Sequence, residues 1–218
     1  QLSTLRNGAA GARIGSLAAA MACEDGLLTQ HLGRYASYKD QPFTALNTAL
    51  LEDGAFVFIP KGAVVEEPIQ FLLVSTAPGP AVVSHPRNLK VADTSSQVTI
   101  VETYAGIGTG VYFTNAVTEI VVGDNAVVDH YKIGRETDEA FHIATLQLHQ
   151  RRSSTLCSHI VSLGGALVRH DVNSILDGEG CECTLNGLYM VNGNQHVDNH
   201  LRVDHVQPHC HSREFFKG

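Results

Sequence analysis

Two periodicities divide the chain. Between residues 16 and 52, apolar positions fall at helical spacings: Leu27, Leu28, Leu32 and Tyr35, then Phe43, Leu46, Ala49 and Leu50. Side chains three and four apart share one helix face, so this stretch predicts two short helices. Pro42 suits the start of the second, where its missing N–H costs nothing, and Asp53-Gly54 supplies the turn that ends it. The Ala/Gly-rich run over residues 8–22, interrupted by Arg13, reads as a helical piece rather than a signal sequence.

From Ala55 onward the pattern becomes short β-branched runs separated by Gly, Asp and Asn: AFVFIP, AVVEEPIQFLLV, QVTIVETY, NAVTEIVV, NAVVDHYKI, HIATLQLH, STLCSHIVS, LVRHDVNSIL, TLNGLYMV and HLRVDHV. No alternation of helix and strand survives there, which marks an all-β region. Three of the runs superpose at a spacing of 29 residues, with Val127, Leu156 and Leu185 in one column and Tyr131, Ile160 and Tyr189 in a second. That register sets Cys157 between Val128 and Asn186, and sets His130 with His159 on the opposite face. A second set, AVTEIVV, IATLQLH and DVNSILDG, lies between the copies. Two or more strands per repeat, with GDN, QRRS and DGEG at the turns, is how a parallel β-helix reads. A jelly roll or cupin-like barrel is the competing architecture, but it would show two-residue hairpin turns and no stacking period. The expectation is an all-β chain: an N-terminal helical segment over residues 1–52, then a parallel β-helix over residues 53–218.

Composition narrows the function. Lys+Arg number 15 against 22 Asp+Glu, a formal charge of -7, so no basic footprint for nucleic acid or an anionic membrane is present. Aromatics make up 6% with no Trp, thin for a sandwich core and sparse for a carbohydrate-binding groove. No apolar run approaches the roughly 20 residues that span a bilayer. The five irregularly spaced cysteines, Cys23, Cys157, Cys181, Cys183 and Cys210, point to a reducing, cytoplasmic setting. Opening on Gln1 and stopping at Lys217-Gly218 directly after a strand-like run, the chain reads as part of something longer.

Chemistry concentrates near the end, in HVDNHLRVDHVQPHCHSREFFKG. On an extended strand His196, Asp198 and His200 share a face, as do His209 and His211, with Cys210 opposite. Imidazole is neutral near pH 7 and ligates metals readily, so His200, His205, His209, Cys210 and His211 are the metal-ligand candidates. His209 and His211 followed by Glu214 give a faint cupin-like ligand pattern. The competing explanation is that these side chains decorate the broad lateral surface of a β-helix. Cys181 and Cys183 form a C-x-C beside Glu182, a soft pair suited to zinc, copper(I) or iron–sulfur clusters, although free cysteines usually act as small buried hydrophobes. Glu66 and Glu67 precede Pro68 at a solvent-facing turn, and Gly106 to Gly110 reads as a loop. The G-x-S-x-G elbow, the phosphate-binding loop, the dinucleotide-binding glycine fingerprint and HExxH are missing, so no catalytic residue is assigned.

The order of several segments resembles the SufB/SufD family of iron–sulfur cluster assembly proteins, its SufD branch more than its SufB branch. The carriers are FTALNTALLEDGAFVFIPKGAVVEEPIQ, SHPRNLKVADTSSQVTIVETY, FTNAVTEIVVGDNAVVDHYKI, LGGALVRHDVNSILDGEGCECTLNGLYMVNGNQHVDNHLRVDH and PHCHSREFFKG, spanning residues 43–218. The resemblance implies a right-handed parallel β-helix flanked by helices. It further implies a non-enzymatic scaffold that pairs with a SufB-like paralogue and a SufC-like ATPase and supports iron acquisition. No cofactor is expected to be held firmly by this chain, while iron or an iron–sulfur cluster belongs to the full complex. The family's distal Cys-x-His motif has no counterpart in these residues, so none of its functional positions carries over. Asp198, His200, Asp204, His205, Ser212, Arg213 and Lys217 do match the family pattern, in consecutive terminal strands whose open edge is expected to favour self-association. The alternative function is a His-rich, metal-binding or metal-dependent cupin-like protein.

Overall fold

The computed structural model describes residues 11–23, 26–77 and 79–218. Its strands are β1 (Arg13–Ser16), β2 (Ala55–Ile59), β3 (Ile69–Thr76), β4 (Val82–Ser84), β5 (Arg87–Ala92), β6 (Gln97–Ile107) and β7 (Tyr112–Val122). They continue as β8 (Val127–Arg135), β9 (Phe141–Gln150), β10 (Thr155–Ser162), β11 (Leu167–Leu176), β12 (Glu182–Tyr189), β13 (His196–His205) and β14 (His211–Lys217). Among the described residues three helices precede the coil: α1 (Leu17–Ala22), α2 (Gly26–His31) and α3 (Pro42–Ala49).

The strands form two sheets, one in the order β1-β2-β5-β7-β9-β11-β13 with β4 attached to β7, the other β14-β12-β10-β8-β6-β3. Every pairing is parallel except β1 against β2. From β5 to β14 consecutive strands alternate between the sheets, so each turn of chain contributes one strand to each: a parallel β-solenoid, as the sequence pattern predicts and not a cupin or jelly roll.

Each coil turns one corner through a residue with left-handed backbone. Gly62, Ser95, Asn125, Ser153, Gly180 and His209 all have positive φ. They stack by main-chain bonds: Gly62 N to Thr94 O, Ser95 N to Asp124 O, Asn125 N to Arg152 O, Ser153 N to Glu179 O and Gly180 N to Pro208 O. Gly and Asn, which tolerate this conformation best, hold three of these corners, and Ser95, Ser153 and His209 hold the others.

The register differs from the 29-residue alignment. Leu156 sits beside Val128 and Cys183, not beside Val127 and Leu185. Turn lengths vary from coil to coil, and a slip of one residue exchanges the two faces of a strand. Val128, His130 and Lys132 therefore point inwards, while Tyr131 stacks on His159 outside, with ring centroids 4.8 Å apart. Cys157 lies between Asp129 and Thr184 on that outer face, not between Val128 and Asn186.

The N-terminal segment also departs from two helices. α3 begins at Pro42 as expected, and the Leu27/Leu28 periodicity is α2. Residues 13–16 of the Ala/Gly-rich run are a strand, and 17–22 are α1; residues 8–10 lie outside the described residues. Ser16 caps α1, accepting from Ala19 N at 3.2 Å and donating to Asp53 Oδ1 at 2.8 Å. Leu17, Ala20 and Leu28 pack onto Phe56, Leu89, Val91 and Val121, on the outer face of the first sheet. Both faces of β5 and most of β7 are consequently buried, so these strands lack a polar/apolar alternation.

Candidate functional site

Inside the solenoid the corner column of left-handed residues borders an apolar half: Ile59, Val98, Ile120, Val128, Leu148, Leu156, Leu176, Cys181 and Cys183 pack together. Both C-x-C thiols thus belong to the hydrophobic core. Further along the same strands the inward positions become polar, and here a sealed network of titratable groups begins.

Glu102, on β6, is its first centre. Lys90 from β5 contacts the Glu102 carboxylate, His130 Nε2 lies 3.3 Å from Oε1, and Tyr104 Oη donates to Oε2 at 3.1 Å. Asn88 donates to Tyr104 Oη and to Thr118 Oγ1, both at 3.0 Å, and His130 Nδ1 lies 3.0 Å from Ser158 Oγ. Burial pushes the Lys90 ammonium well below the usual lysine range, and the nearby charge of Lys132 adds to the effect. Burial also pushes the Tyr104 phenol up to about 12.

The second centre runs Lys132, His142, Glu136, Tyr112. Lys132 Nζ is 2.9 Å from His142 Nε2, His142 Nδ1 is 2.9 Å from Glu136 Oε1, and Tyr112 Oη donates to Glu136 Oε2 at 2.5 Å. Burial drives His130, His142 and His170 well below the ordinary histidine value, with Lys132 lowering each further. His142 is therefore neutral, with Nε2 accepting from Lys132 and Nδ1–H donating to Glu136. Lys132 is itself pushed down to about 7 by burial, and the Glu136 carboxyl is raised by the same cause. His170 extends the chain, its ring 5.8 Å from that of His142 and its Nε2 3.1 Å from Ser162 Oγ. The arrangement can hold and redistribute protons along a line of buried groups. Both nitrogens of His130 and of His142, and Nε2 of His170, are already engaged, by Ser158, Glu102, Lys132, Glu136 and Ser162.

On the outer face of the first sheet a different charged pair fastens the N-terminal segment. Arg87 Nη2 bonds Glu119 Oε2 at 2.8 Å, and the carboxylate also accepts the main-chain N–H groups of Gly33, Tyr35 and Ala36, each at 2.9 Å.

The terminal metal-ligand candidates do not converge. His200 is exposed on β13, its Nε2 2.8 Å from Asp198 Oδ2. His205 lies on the inward-facing register with its Nε2 3.2 Å from Ser212 Oγ. His209 is not on a strand, as the H-x-H reading requires, but in the left-handed corner at φ 61°, 77% exposed, with Glu179 at 3.8 Å. His211 opens β14 as an exposed residue, whereas Cys210 turns its thiol to the Gly178 carbonyl at 3.1 Å. Glu214 lines an open depression of about 480 Å³ with Tyr189, Val197, Asn199, Leu201 and Phe216. Among the described residues, no group of three or more His, Cys, Asp or Glu side chains is placed to hold a metal ion.

The interior network escaped the sequence reading because it hangs on register. His130 and Lys132 alternate with Val127, Asp129 and Tyr131, and shifting β8 by one residue places them outside. The available signal was the coincidence of polar residues in successive strands: Asn88 and Lys90, Glu102, His130 and Lys132, Ser158, and His170.

Comparison with known proteins bears on all six coils. Residues 73–218 match the profile of the SUF system FeS cluster assembly, SufBD core domain, and residues 3–71 match that of the SufBD protein N-terminal region. An iron–sulfur cluster assembly SufBD family protein of Synechocystis is 31% identical over 199 residues, 86% of this chain and 44% of that protein. The iron–sulfur cluster assembly protein SufD of Escherichia coli is 30% identical over 122 residues, 56% of this chain and 29% of its own length. Iron–sulfur cluster assembly protein SufB of Bacillus subtilis is 27% identical over 192 residues, 85% and 40% respectively. The chain spans less than half the length of these relatives. With the core profile covering β5 to β14 without a break, the chain belongs to the SufB/SufD family of iron–sulfur cluster assembly proteins.

Proposed function

We propose that this chain acts as a non-enzymatic scaffold in a cytoplasmic iron–sulfur cluster assembly complex, together with a SufB-like paralogue and a SufC-like ATPase. The observation that carries the reading is the unbroken family match across residues 73–218. The filled interior suits a scaffold, which has to present fixed surfaces to its partners. Iron and the nascent cluster are cargo in this reading, handled by the assembled complex.

The test is co-expression of the full-length protein with SufB-like and SufC-like subunits, followed by affinity purification and sedimentation analysis. A defined complex that assembles clusters from iron and sulfide, together with an isolated subunit that turns nothing over, is the expected result. Failure to associate with either partner, or robust turnover by the isolated full-length subunit, would sink the proposal.

A further inference from the structure

Cys181 and Cys210 occupy equivalent places on consecutive coils. Glu182 and His211 are ladder partners, so the cysteines just before them stack, and His211 N–H donates to the Cys181 carbonyl at 2.9 Å. Both thiols address one acceptor: Cys181 Sγ is 3.0 Å from the Gly178 carbonyl oxygen and Cys210 Sγ is 3.1 Å from the same atom. Neighbouring strands lie about 4.8 Å apart. That spacing falls within the range of about 4.4–6.8 Å between Cα atoms that a disulfide can bridge. Cys181 is buried and Cys210 is half-buried.

We propose that Cys181 and Cys210 form a reversible redox pair, closed to a disulfide by exchange with a small organic disulfide such as oxidised glutathione. Cys210, the more exposed, reacts first. It loses its proton to solvent, and its thiolate attacks one sulfur of the reagent, breaking the S–S bond and leaving a mixed disulfide on Cys210. The departing thiolate takes up a proton. Cys181 then loses its proton and attacks the Cys210 sulfur, expelling the second thiol, which is protonated in turn. Two protein thiols are oxidised by two electrons, and one organic disulfide is reduced to two thiols.

The other cysteines are placed differently. Cys183 has Ser212 as its ladder partner and its Sγ lies 3.4 Å from Ser174 Oγ, while Cys157 faces outwards beside Asp129 and Thr184. Neither has a cysteine in register. A closed Cys181–Cys210 bond would fasten the sixth coil covalently to the fifth and remove both thiols as soft ligands. This inference is independent of the scaffold reading, because it concerns the chain's own thiols.

The test incubates the full-length protein with oxidised glutathione, blocks residual thiols by alkylation, and maps peptides without reduction; tryptic cleavage at Arg202 separates the two cysteines. A single cross-linked pair carrying Cys181 and Cys210, released by dithiothreitol, is expected. Cys183→Ser should retain the link, and Cys181→Ser should stop the reaction at a glutathione adduct on Cys210. Recovery of both Cys181 and Cys210 as alkylated thiols in the wild-type protein, or a Cys181–Cys183 link in their place, overturns the proposal. The wild-type map decides this even where a variant fails to fold.

Discussion

Lys132 Nζ lies 2.9 Å from His142 Nε2 in the sealed interior, a contact in which only one of the two groups can carry a proton towards the other. Burial selects the neutral imidazole, and the lysine donates. His142 passes the polarity on to Glu136 through its other nitrogen, at 2.9 Å. A solenoid has little space to hydrate such groups, so each depends on its neighbour for hydrogen bonding.

Stability should rise from about pH 5 to about pH 9. His130, His142 and His170 start from an unfolded value of 6.5 and lie well below it when folded, so the unfolded chain binds more protons and stability is lost as pH falls below 6.5. Lys132, at about 7 folded against 10.5 unfolded, adds stability as pH rises through that window. Glu136 opposes the trend, since its raised value contributes stability that is lost as pH climbs through it, but three histidines outnumber it. Each such group changes the slope by at most about 1.4 kcal/mol per pH unit. Urea denaturation across this range measures it, and His170→Gln should flatten the acid limb.

Glu119→Ala should be among the most damaging single changes. It leaves the buried Arg87 guanidinium without its carboxylate and strips an acceptor from the N–H groups of Gly33, Tyr35 and Ala36. A loss of about 3–5 kcal/mol is expected for a buried charge stranded this way. Denaturant midpoints give the energy, and hydrogen exchange should show those three amides losing protection.

Gly54→Ala tests the seam between the N-terminal segment and the coil. A Cβ at this position collides with the main chain of Arg87, which cannot move without disturbing β5. Overpacking of this kind costs about 1–3 kcal/mol or more. Gly62→Ala is a useful comparison: nothing lies near its Cβ, but φ is 72°, so its cost of about 1–2 kcal/mol is backbone strain alone. Thermal melts of the two variants separate collision from strain.

His209→Gly should be neutral or stabilising by up to about 1 kcal/mol, because it relieves a left-handed corner that Gly62 and Gly180 already occupy in other coils. Metal content measured on the same protein addresses the ligand reading directly. A variant that is stable yet loses a stoichiometric metal would restore His209 as a ligand.

The pattern of residues by itself determined the architecture. β-Branched runs separated by Gly- and Asn-marked turns admit little besides a coil, and Pro42 announces the helix it starts. Stretches with one covered face, such as β10, alternate cleanly and were legible. β5 and β7, covered on both faces, carry no alternation, and the pairing of residues 13–16 with β2 depends on a partner some forty residues away. The tertiary structure decided register, and register decided the chemistry. Corners of unequal length shift each strand against the last, so a fixed repeat loses its place within a coil or two. That shift brings His130 and Lys132 inside, puts Tyr131 and His159 outside, and stacks Cys181 on Cys210 while scattering His200, His209 and His211 over exposed turns and faces.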